Sequence, residues 1–376
     1  MKVKLSDICE INMGQSPSSD TYNQNREGLP FYQGNADFGE KNPIPRSWCR
    51  EPKKVANINS ILISVRAPIG AMNIATERCC IGRGLAAVIP NEEQCDLNYI
   101  WYALLSKHSE LNSRGTGSTF KAIGKKTLFD LEIFLPSKDE QKEIALVLER
   151  VNELINLHKN QLNKLNLIVK SRFAEMFGNP FLNEKKWSIK KLGNLSQKIT
   201  DGVHAKPNYT ISGKPFISVV NITKGYVDFT DCKFVSEDDY KKMIKSTYPE
   251  KGDVLYTKVG ATYGIPAYID TDKEFCLYVS VCLIKPIHEV INSRFLSISM
   301  GMPYVKMQAD RRIKGIGVPD LHLNQIREFD IISPPIELQR DFVQFVQQVD
   351  KSKSEVQKAL EKTELLYKAL MQQYFY

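Results

Sequence analysis

Apolar residues in segment 138–178 recur at steps of three and four positions, which is the spacing of a coiled-coil seam. No proline or glycine interrupts 138–177, and the segment is rich in Leu, Ile, Val, Glu, Lys and Gln. The pattern predicts one helix over 138–178, far longer than an ordinary globular helix, with an apolar stripe that requires a partner helix. The seam consists of Ile144, Leu148, Val151, Ile155, Leu162, Leu165 and Val169.

A partner helix is predicted in the same chain, over 336–376. Aligned without a gap, 136–177 matches 334–375 with eight identities, among them Gln141 and Gln339. The two segments also share their heptad phase, so we predict that the two helices pair as a coiled coil. The seam of the second helix consists of Phe342, Val346, Val349, Val356, Leu360, Tyr367 and Leu370.

Two globular segments, 1–137 and 179–335, alternate with these helices. Both contain short apolar runs broken by Gly, Pro, Asn and Ser, which is typical of short strands and turns. In the first segment the pattern predicts strands over 60–65, 72–76 and 85–89 and a helix over 96–111. The second segment repeats the plan, since 213–216 resembles 28–31, 252–255 resembles 59–62, 281–286 resembles 86–90, and 329–334 resembles 131–136.

The predicted fold class is therefore α+β. It comprises two similar mixed α/β domains, 1–137 and 179–335, joined and separated by two long helices, 138–178 and 336–376. If two such helices of equal length run in opposite directions, the two domains are related by a pseudo-twofold axis. The domains share a scaffold and differ in their loops, which is how one fold presents two different binding surfaces.

Composition narrows the class of protein. The chain has 376 residues and a formal net charge of +8, and the surplus lies mostly in the second globular segment. A mild basic excess suits a polyanionic partner without requiring one. There is no apolar run long enough to span a membrane and no signal-peptide core, so a cytoplasmic protein is expected. The eight cysteines have no CxxC or zinc-type spacing, and reduced thiols are expected.

Motifs of enzymes are missing from the sequence. It has no G-x-x-x-x-G-K-[ST] loop, no G-x-G-x-x-G after a strand and no N-P-P-[YF]. The five histidines have no spacing that suits a metal or a catalytic triad. Asp253 and Lys258 flank one predicted strand, as in some nuclease sites, but are expected to be its solvated ends. We therefore predict no catalytic residue and no metal site.

The order of domain, helix, domain, helix resembles the DNA specificity subunit of type I restriction–modification systems, and the resemblance covers essentially the whole chain. The most specific local match runs through GTGSTFKAI (115–123), LEIFLPS (131–137) and EQKEIA (140–145). GNPF (178–181) resembles the family's entry to its second domain. The corresponding stretch at the end of the second domain, GIGVPDL (315–321), is a looser match, because it lacks the Thr-Phe-Lys found at 119–121.

That resemblance implies a non-catalytic, DNA-reading subunit. Its two target recognition domains would each read one half of a bipartite, non-palindromic target in double-stranded DNA. The two helices would pair as an antiparallel coiled coil, set the spacer and dock the modification subunits, which carry the DNA adenine methyltransferase activity. Restriction/translocase subunits would join that assembly. S-adenosylmethionine, ATP and Mg²⁺ would belong to the partner subunits, with no cofactor in this chain and no membrane partner.

Residues that could contact DNA lie in glycine-containing or basic loops. Arg and Lys can bind phosphate, while Ser, Thr, Asn and Gln can read base edges. In the first domain the candidates are Gln33, Asn35, Arg46, Arg66, Arg83, Arg114, Ser118, Thr119 and Lys121. In the second domain they are Lys206, Ser218, Asn221, Lys258, Thr262, Tyr263, Arg311, Arg312 and Lys314.

Other interpretations stay open at this point. Each candidate could be an ordinary solvated surface residue, and the glycines could simply form turns. The whole chain could also be a stand-alone nuclease, or a scaffold whose two similar domains bind other proteins.

Overall fold

A computed structural model of the chain describes residues 1–117, 121–313 and 317–376. The chain divides into two compact units. Unit 1 comprises Met1–Gln161 and Val356–Tyr376, and unit 2 comprises Leu162–Glu355. Each unit therefore contains one globular domain together with part of each long helix.

Unit 1 is built on three small sheets. Its strands are β1 (Lys2–Lys4), β2 (Cys9–Met13), β3 (Tyr22–Asn23), β4 (Leu29–Tyr32), β5 (Trp48–Cys49), β6 (Val55–Ala56), β7 (Ile61–Ser64), β8 (Met72–Ile74), β9 (Cys79–Ile81), β10 (Leu85–Pro90) and β11 (Glu132–Phe134). Its helices are α1 (Leu5–Ile8), α2 (Leu97–Ser106), α3 (His108–Ser113), α4 (Lys125–Phe129) and the first part of the long helix α5 (Lys138–Phe177).

Unit 2 has a similar order of elements, with helix α6 (Glu237–Met243) where unit 1 has strand β6 and with no α-helix among its described residues that corresponds to α1. Its strands are β12 (Ser188–Lys191), β13 (Ser196–Asp201), β14 (Tyr209–Thr210), β15 (Lys214–Ile217), β16 (Lys233–Val235), β17 (Val254–Thr257), β18 (Pro266–Tyr268), β19 (Cys276–Leu277), β20 (Val281–Pro286) and β21 (Asp330–Ser333). Its helices are α6 (Glu237–Met243), α7 (Ser293–Met300), α8 (Pro303–Asp310), α9 (Leu323–Arg327) and the first part of the second long helix, α10 (Ile336–Phe375).

Sheet topology in the two units differs by one edge strand. The sheet β2-β10-β7-β8 corresponds to β13-β20-β17-β18, and the two-stranded sheet β1-β11 corresponds to β12-β21. In the third sheet β3-β5-β4-β9 corresponds to β14-β16-β15-β19, and β4/β9 and β15/β19 are the parallel pairs. The first unit adds β6 at the edge of this sheet. This equivalence agrees with the predicted duplication of a mixed α/β domain.

The three strands predicted in the first domain are found within one or two residues of their predicted bounds. The strands predicted over 60–65, 72–76 and 85–89 are β7, β8 and β10. The single helix predicted over 96–111 is wrong in its continuity, because the backbone of Lys107 leaves the helical region (φ −87°, ψ 2°) and separates α2 from α3.

Each long helix contains 40 residues, which corresponds to about 60 Å at 1.5 Å per residue. At the start of α5, Ser137 and Glu140 form a capping box: the Ser137 N–H donates to Glu140 Oε2 at 2.9 Å, and the Glu140 N–H donates to Ser137 Oγ at 3.4 Å. At its end Gly178 adopts φ +77°, the left-handed conformation that closes a helix. The indole of Trp187 donates to the Phe177 carbonyl at 2.9 Å and satisfies one of the last acceptors.

In unit 1 the beginning of α5 lies beside the end of α10. Leu148 and Val151 of α5 are buried, and Lys159 of α5 forms an ion pair with Glu364 of α10 at 3.5 Å. Tyr367 and Leu370 of α10 pack against the same core as the domain. Of the other predicted seam residues in this unit, Ile155 and Leu360 are buried, and Ile144 and Val356 are half-buried.

In unit 2 the end of α5 lies beside the beginning of α10. Phe342 of α10 is fully buried, with ring centroids 5.6 Å from Phe173 and 5.4 Å from Phe177. It also contacts Phe295 of α7 at 6.2 Å. Val169, Val346 and Val349 are buried, and Leu162 and Leu165 are half-buried. In both units the antiparallel helix pair is therefore also part of the core of the domain.

Two fully buried glutamines tie the long helices to the domains in the same way. Gln141 accepts the backbone N–H of Asp96 at 2.9 Å and donates to the carbonyls of Gln94 and Pro136. Gln339 accepts the N–H of Asn292 at 2.8 Å and donates to the Pro334 carbonyl. Asp96 and Asn292 cap α2 and α7. The glutamine shared by both helix sequences thus fixes the start of a domain helix in each unit.

Candidate nucleic-acid interface

Five loop segments of unit 1 meet where β2, β4, β7 and β9 end. We name this meeting point the loop junction of unit 1, composed of residues 14–16, 33–35, 65–67, 82–84 and 121–123. It is held by backbone hydrogen bonds from Gln15 N to Ile81 O (3.0 Å), Gly82 N to Tyr32 O (2.8 Å), Val65 N to Gly84 O (2.9 Å) and Ile123 N to Val65 O (2.9 Å).

Unit 2 has an equivalent loop junction, composed of residues 202–204, 218–220, 258–260, 278–280 and 319–321. The matching hydrogen bonds run from Val203 N to Leu277 O (3.0 Å), Tyr278 N to Ile217 O (2.9 Å), Lys258 N to Ser280 O (3.0 Å) and Leu321 N to Lys258 O (2.9 Å). The backbone frame is therefore the same in both units, and what differs between them is the side chains that it carries.

The glycines that follow β2 and β13 are required by close backbone approach. A Cβ on Gly14 would lie 2.2 Å from the Gly82 carbonyl oxygen, and a Cβ on Gly202 would lie 2.0 Å from the Leu277 carbonyl oxygen. Any side chain at these positions would force the loops apart. These glycines keep two loops in contact at the end of β2 and at the end of β13.

The junction of unit 1 brings together several of the predicted DNA contacts. Arg66, Arg83 and Lys121 are exposed there, and Gln33 is exposed beside the half-buried Asn35. Gln33 Nε2 donates to Ser16 Oγ at 3.0 Å, and Ser16 Oγ also accepts the backbone N–H of Arg83 at 3.3 Å. Three exposed cations and two amide side chains therefore converge on one surface, which suits phosphate and base contacts.

The other candidates of unit 1 lie around this junction. Arg46 is exposed beside β4, since the carbonyl of the next residue, Ser47, accepts the Phe31 N–H at 2.9 Å. Arg114 is also exposed, but it donates to Glu110 Oε1 at 2.5 Å. The Glu110 carboxylate partly neutralises the guanidinium and so weakens its attraction for phosphate. Ser118 and Thr119 of this unit, and Lys314 of the other, lie outside the described residues.

In unit 2 fewer of the predicted contacts are at the surface. Lys206, Thr262 and Arg311 are exposed, and Arg311 lies at the C-terminal end of α8. Ser218 is half-buried at the junction, where its N–H and hydroxyl donate to Asn221 Oδ1 at 3.0 and 3.2 Å.

Two candidates of unit 2 are buried, which argues against direct base or phosphate contacts by their side chains. Asn221 is 6% exposed and donates to the Asp228 carbonyl at 3.3 Å. Lys258 is 5% exposed, and its ammonium lies between Asp201 (3.3 Å) and Asp320 (3.6 Å). The expectation that Lys258 would be a solvated strand end is wrong, because these two distant segments enclose it.

Asp253, at the other end of the same strand, is also buried rather than solvated. Its carboxylate accepts Lys285 Nζ at 2.7 Å and the Glu250 N–H at 2.9 Å. Burial raises the pKa of Asp253, against the opposing effect of its hydrogen bond with Lys285. The residue is part of an internal ion pair.

Tyr263 and Arg312 use their polar groups within unit 2. The Tyr263 hydroxyl donates to Asp310 Oδ1 at 2.6 Å, and the Lys306 ammonium lies 3.7 Å from the tyrosine ring centroid. The pKa of Asp310 is lowered mainly by its hydrogen bond with Lys306 and also by its hydrogen bond with Tyr263. The Arg312 guanidinium donates to the carbonyls of Gln308 (2.8 Å) and Glu328 (3.1 Å).

Sequence reasoning missed the residues that organise the junctions. Ser16 links two predicted contacts of unit 1, and Asp201 with Asp320 encloses Lys258 in unit 2. The available signal was the glycine that follows β2 and β13, at Gly14 and Gly202, since it marks corresponding loops in the two halves of the sequence.

Within the described ranges, no group of three or more His, Cys, Asp or Glu side chains is arranged to hold a metal ion. The eight cysteines are all free thiols, and all but Cys232 are buried. None of the helices described here is both long and apolar enough to cross a membrane.

Two copies of one α/β domain, each with a loop junction, on a pair of long helices define a duplicated recognition protein. Residues 1–167 and 184–365 each match the family model described as the type I restriction modification DNA specificity domain. These matches cover most of the sequence, and the chain belongs to this family.

Relatives of known name agree with that assignment. The chain is 43% identical over 156 residues to the putative MjaX type I restriction enzyme specificity subunit of Methanocaldococcus jannaschii, covering 42% of this chain and 37% of that protein. It is 26% identical over 373 residues to the MjaIX specificity subunit of the same organism, covering 92% and 85%.

The fold has also been seen in a solved structure. The type I restriction–modification S subunit from M. genitalium matches with a TM-score of 0.61, at 16% identity, over 100% of this chain and 96% of that chain. At this identity the likeness concerns the fold, and it agrees with the predicted fold class of two mixed α/β domains with two long helices.

Proposed function

We propose that this chain is the DNA sequence-specificity subunit of a type I restriction–modification complex. Each domain reads one half of a bipartite target in double-stranded DNA through its loop junction, and the helix pair sets the spacer between the halves. The observation that carries the proposal is the duplicated junction, in which matching backbone hydrogen bonds hold loops with different side chains. Two readers on one duplex need a separation of about one helical turn or more, which long helices can provide.

The target is non-palindromic in this proposal, because the two junctions present different chemistry. Unit 1 offers exposed Arg66, Arg83 and Lys121, whereas the position of Val65 in unit 1 is held by buried Lys258 in unit 2. Identical half-sites would require similar contacts from both domains.

Catalysis in this proposal belongs to partner subunits. DNA adenine methyltransferase subunits would supply the methyl transfer and bind S-adenosylmethionine, and restriction/translocase subunits would use ATP and Mg²⁺. The chain itself would contribute recognition and no catalytic group, and would act in the cytoplasm, where its DNA target is accessible.

Co-expression with the modification subunit tests the proposal. N6-methyladenine is mapped across the host DNA by single-molecule sequencing. One bipartite motif with a fixed gap and unlike halves is the expected result. The absence of any motif, from an assembled complex, would instead favour a protein-interaction scaffold, and metal-dependent DNA cleavage by the isolated chain would favour a nuclease.

Removing the cations of the unit 1 junction is expected to weaken DNA binding by the assembled complex. In the triple variant Arg66→Ala/Arg83→Ala/Lys121→Ala, the slope of log K against log salt should fall in magnitude by roughly 0.9 for each phosphate that the protein no longer neutralises. Fluorescence anisotropy at several salt concentrations measures this slope.

Lys2→Ala is the control for the removal of an exposed cation. Lys2 is exposed in β1, which comes before the start of β2, whereas the junction follows the end of β2. Its slope should equal that of the unmodified chain. An unchanged slope in the triple variant would contradict phosphate binding at this junction.

The outer faces of the long helices offer places for the modification subunits. Leu167 and Ile168 of α5 are 59% and 45% exposed, and Leu365 and Leu366 of α10, at the matching repeat positions, are 69% and 49% exposed. Exposed apolar side chains at equivalent positions fit two copies of one partner, because each copy would meet a similar surface.

Charge on one of these surfaces is expected to reduce partner binding. Leu365→Asp/Leu366→Asp should lower the number of modification subunits that co-purify with the chain, measured by light scattering of the assembled complex. Leu365→Met/Leu366→Met retains apolar side chains and serves as the control. Unchanged stoichiometry and affinity in the aspartate variant would exclude this face from the interface.

A further inference from the structure

The two loop junctions differ at three equivalent positions. In unit 1 these positions hold Met13, Val65 and Ala122, and in unit 2 they hold Asp201, Lys258 and Asp320. The equivalence follows from the backbone. Met13 pairs with Ala86 of β10 as Asp201 pairs with Cys282 of β20, and the bridges Arg66↔Ala122 and Val259↔Asp320 correspond. We call the first set the apolar trio of unit 1 and the second set the charged trio of unit 2.

The charged trio is built around Lys258. Its side chain is 6% exposed, and its ammonium lies 3.3 Å from Asp201 Oδ2 and 3.6 Å from Asp320 Oδ1. The Asp201 side chain is 14% exposed and also meets His204 Nε2 at 3.5 Å, whereas the Asp320 side chain is 44% exposed. Of the two carboxylates in the trio, Asp320 is therefore the one that is open to a ligand. Its ion pair with the buried Lys258 ammonium fixes its position.

A fixed carboxylate at a DNA-reading surface is repelled by phosphate and can only accept hydrogen bonds. In the major groove the bases that donate are cytosine, through N4, and adenine, through N6, while guanine and thymine present acceptors at the equivalent edge. A carboxylate at this point therefore favours an amino-bearing base and disfavours a base that presents an oxygen.

We propose that Asp320, positioned by Lys258 and Asp201, is a specificity-determining residue of the second domain and accepts a hydrogen bond from a base amino group at one position of its half-site. This inference rests on the proposed function and adds the chemical class of one recognised base. The first domain has no counterpart, since Ala122 occupies the equivalent position.

The test maps N6-methyladenine in cells that co-express the modification subunit with Asp320→Ala or Asp320→Asn. At one position of one half-site, the preference for cytosine or adenine should fall about tenfold or more in the alanine variant. The asparagine variant should admit guanine or thymine there, because its amide can donate. The other half-site should remain unchanged in both.

Asp272→Asn is the matched control, since Asp272 is an exposed carboxylate of the same unit that pairs with Lys251 at 3.3 Å, away from the junction. Its motif should be that of the unmodified chain. If both Asp320 variants also keep the full motif, the inference is overturned. If the unmodified chain gives no bipartite motif, the proposed function itself fails, which is a separate outcome.

A triple variant removes all three charges at once, so that Lys258 is not left with only one of its two carboxylate partners. Asp201→Met/Lys258→Val/Asp320→Ala reproduces the apolar trio of unit 1, where the same backbone packs these side chains. Replacing buried ionic groups by apolar ones of suitable shape is often tolerated. The variant should fold and lose discrimination at the same base position as Asp320→Ala. Discrimination retained at that position would contradict the inference.

Discussion

Replacing Phe342 by alanine is expected to lower the free energy of unfolding of unit 2 by about 3–5 kcal/mol. Phe342 is fully buried and contacts Phe173 and Phe177 of α5 and Phe295 of α7. Truncation would remove the transfer free energy of the ring and leave a cavity shared by the helix pair and the domain. A urea titration followed by tryptophan fluorescence and far-UV circular dichroism measures the shift.

Leu365→Ala is the control, because Leu365 lies on the same helix and is 69% exposed. Its effect should stay within about 0.5 kcal/mol. A small shift for Phe342→Ala, similar to that of the control, would mean that the helix crossing is not part of the core of unit 2.

Replacing Gln141 or Gln339 by leucine is expected to cost several kcal/mol, at about 1–3 kcal/mol for each buried group left without a partner. Gln141→Leu would orphan the Asp96 N–H and the carbonyls of Gln94 and Pro136, and Gln339→Leu would orphan the Asn292 N–H and the Pro334 carbonyl. Leucine is close in size, so the destabilisation would report hydrogen bonding rather than volume.

Hydrogen exchange measured by mass spectrometry locates this effect. In Gln141→Leu exchange should rise in α2, whose first turn the glutamine fixes, with little change in α7. In Gln339→Leu the reverse should hold. Gln344→Leu, at an exposed position of α10, is the control. Equal exchange in both domain helices for either variant would contradict the assigned role.

Much of the scaffold could be predicted because its signals are local and repeated. The heptad spacing, with no proline or glycine over 138–177, predicted α5 to within a residue of its end. The matched signal at 28–31 and 213–216 marked β4 and β15, which occupy equivalent places in two sheets. Duplication doubled each weak signal, since the same pattern appeared at the same place in both halves.

The side chains of the junctions were harder to predict, because their surroundings come from distant segments. Lys258 looked like a surface cation beside a glycine loop, yet Asp201 and Asp320 enclose it. Asn221 looked like a base-reading amide, yet it caps its own turn and is buried. Arg66 and Arg83 are exposed, as expected for cations on short loops.

The helix seam was predicted as a contact between two helices, but it is also a contact with the domains. Phe173, absent from the predicted seam, is buried against α7 and α10 because a domain covers that face of α5. Leu162 and Leu165, near the middle of the helix, are only half-buried. The heptad pattern indicates which face is apolar, and the tertiary structure decides what covers it.

The most direct test of two independent readers is to exchange one of them. The globular domain of unit 1 is replaced by that of a related specificity subunit, and N6-methyladenine is mapped in cells that contain the modification subunit. We predict that one half of the motif changes, while the other half and the gap remain the same. A change in both halves, or an unchanged motif from a fully assembled complex, would contradict the assignment of one half-site to each domain.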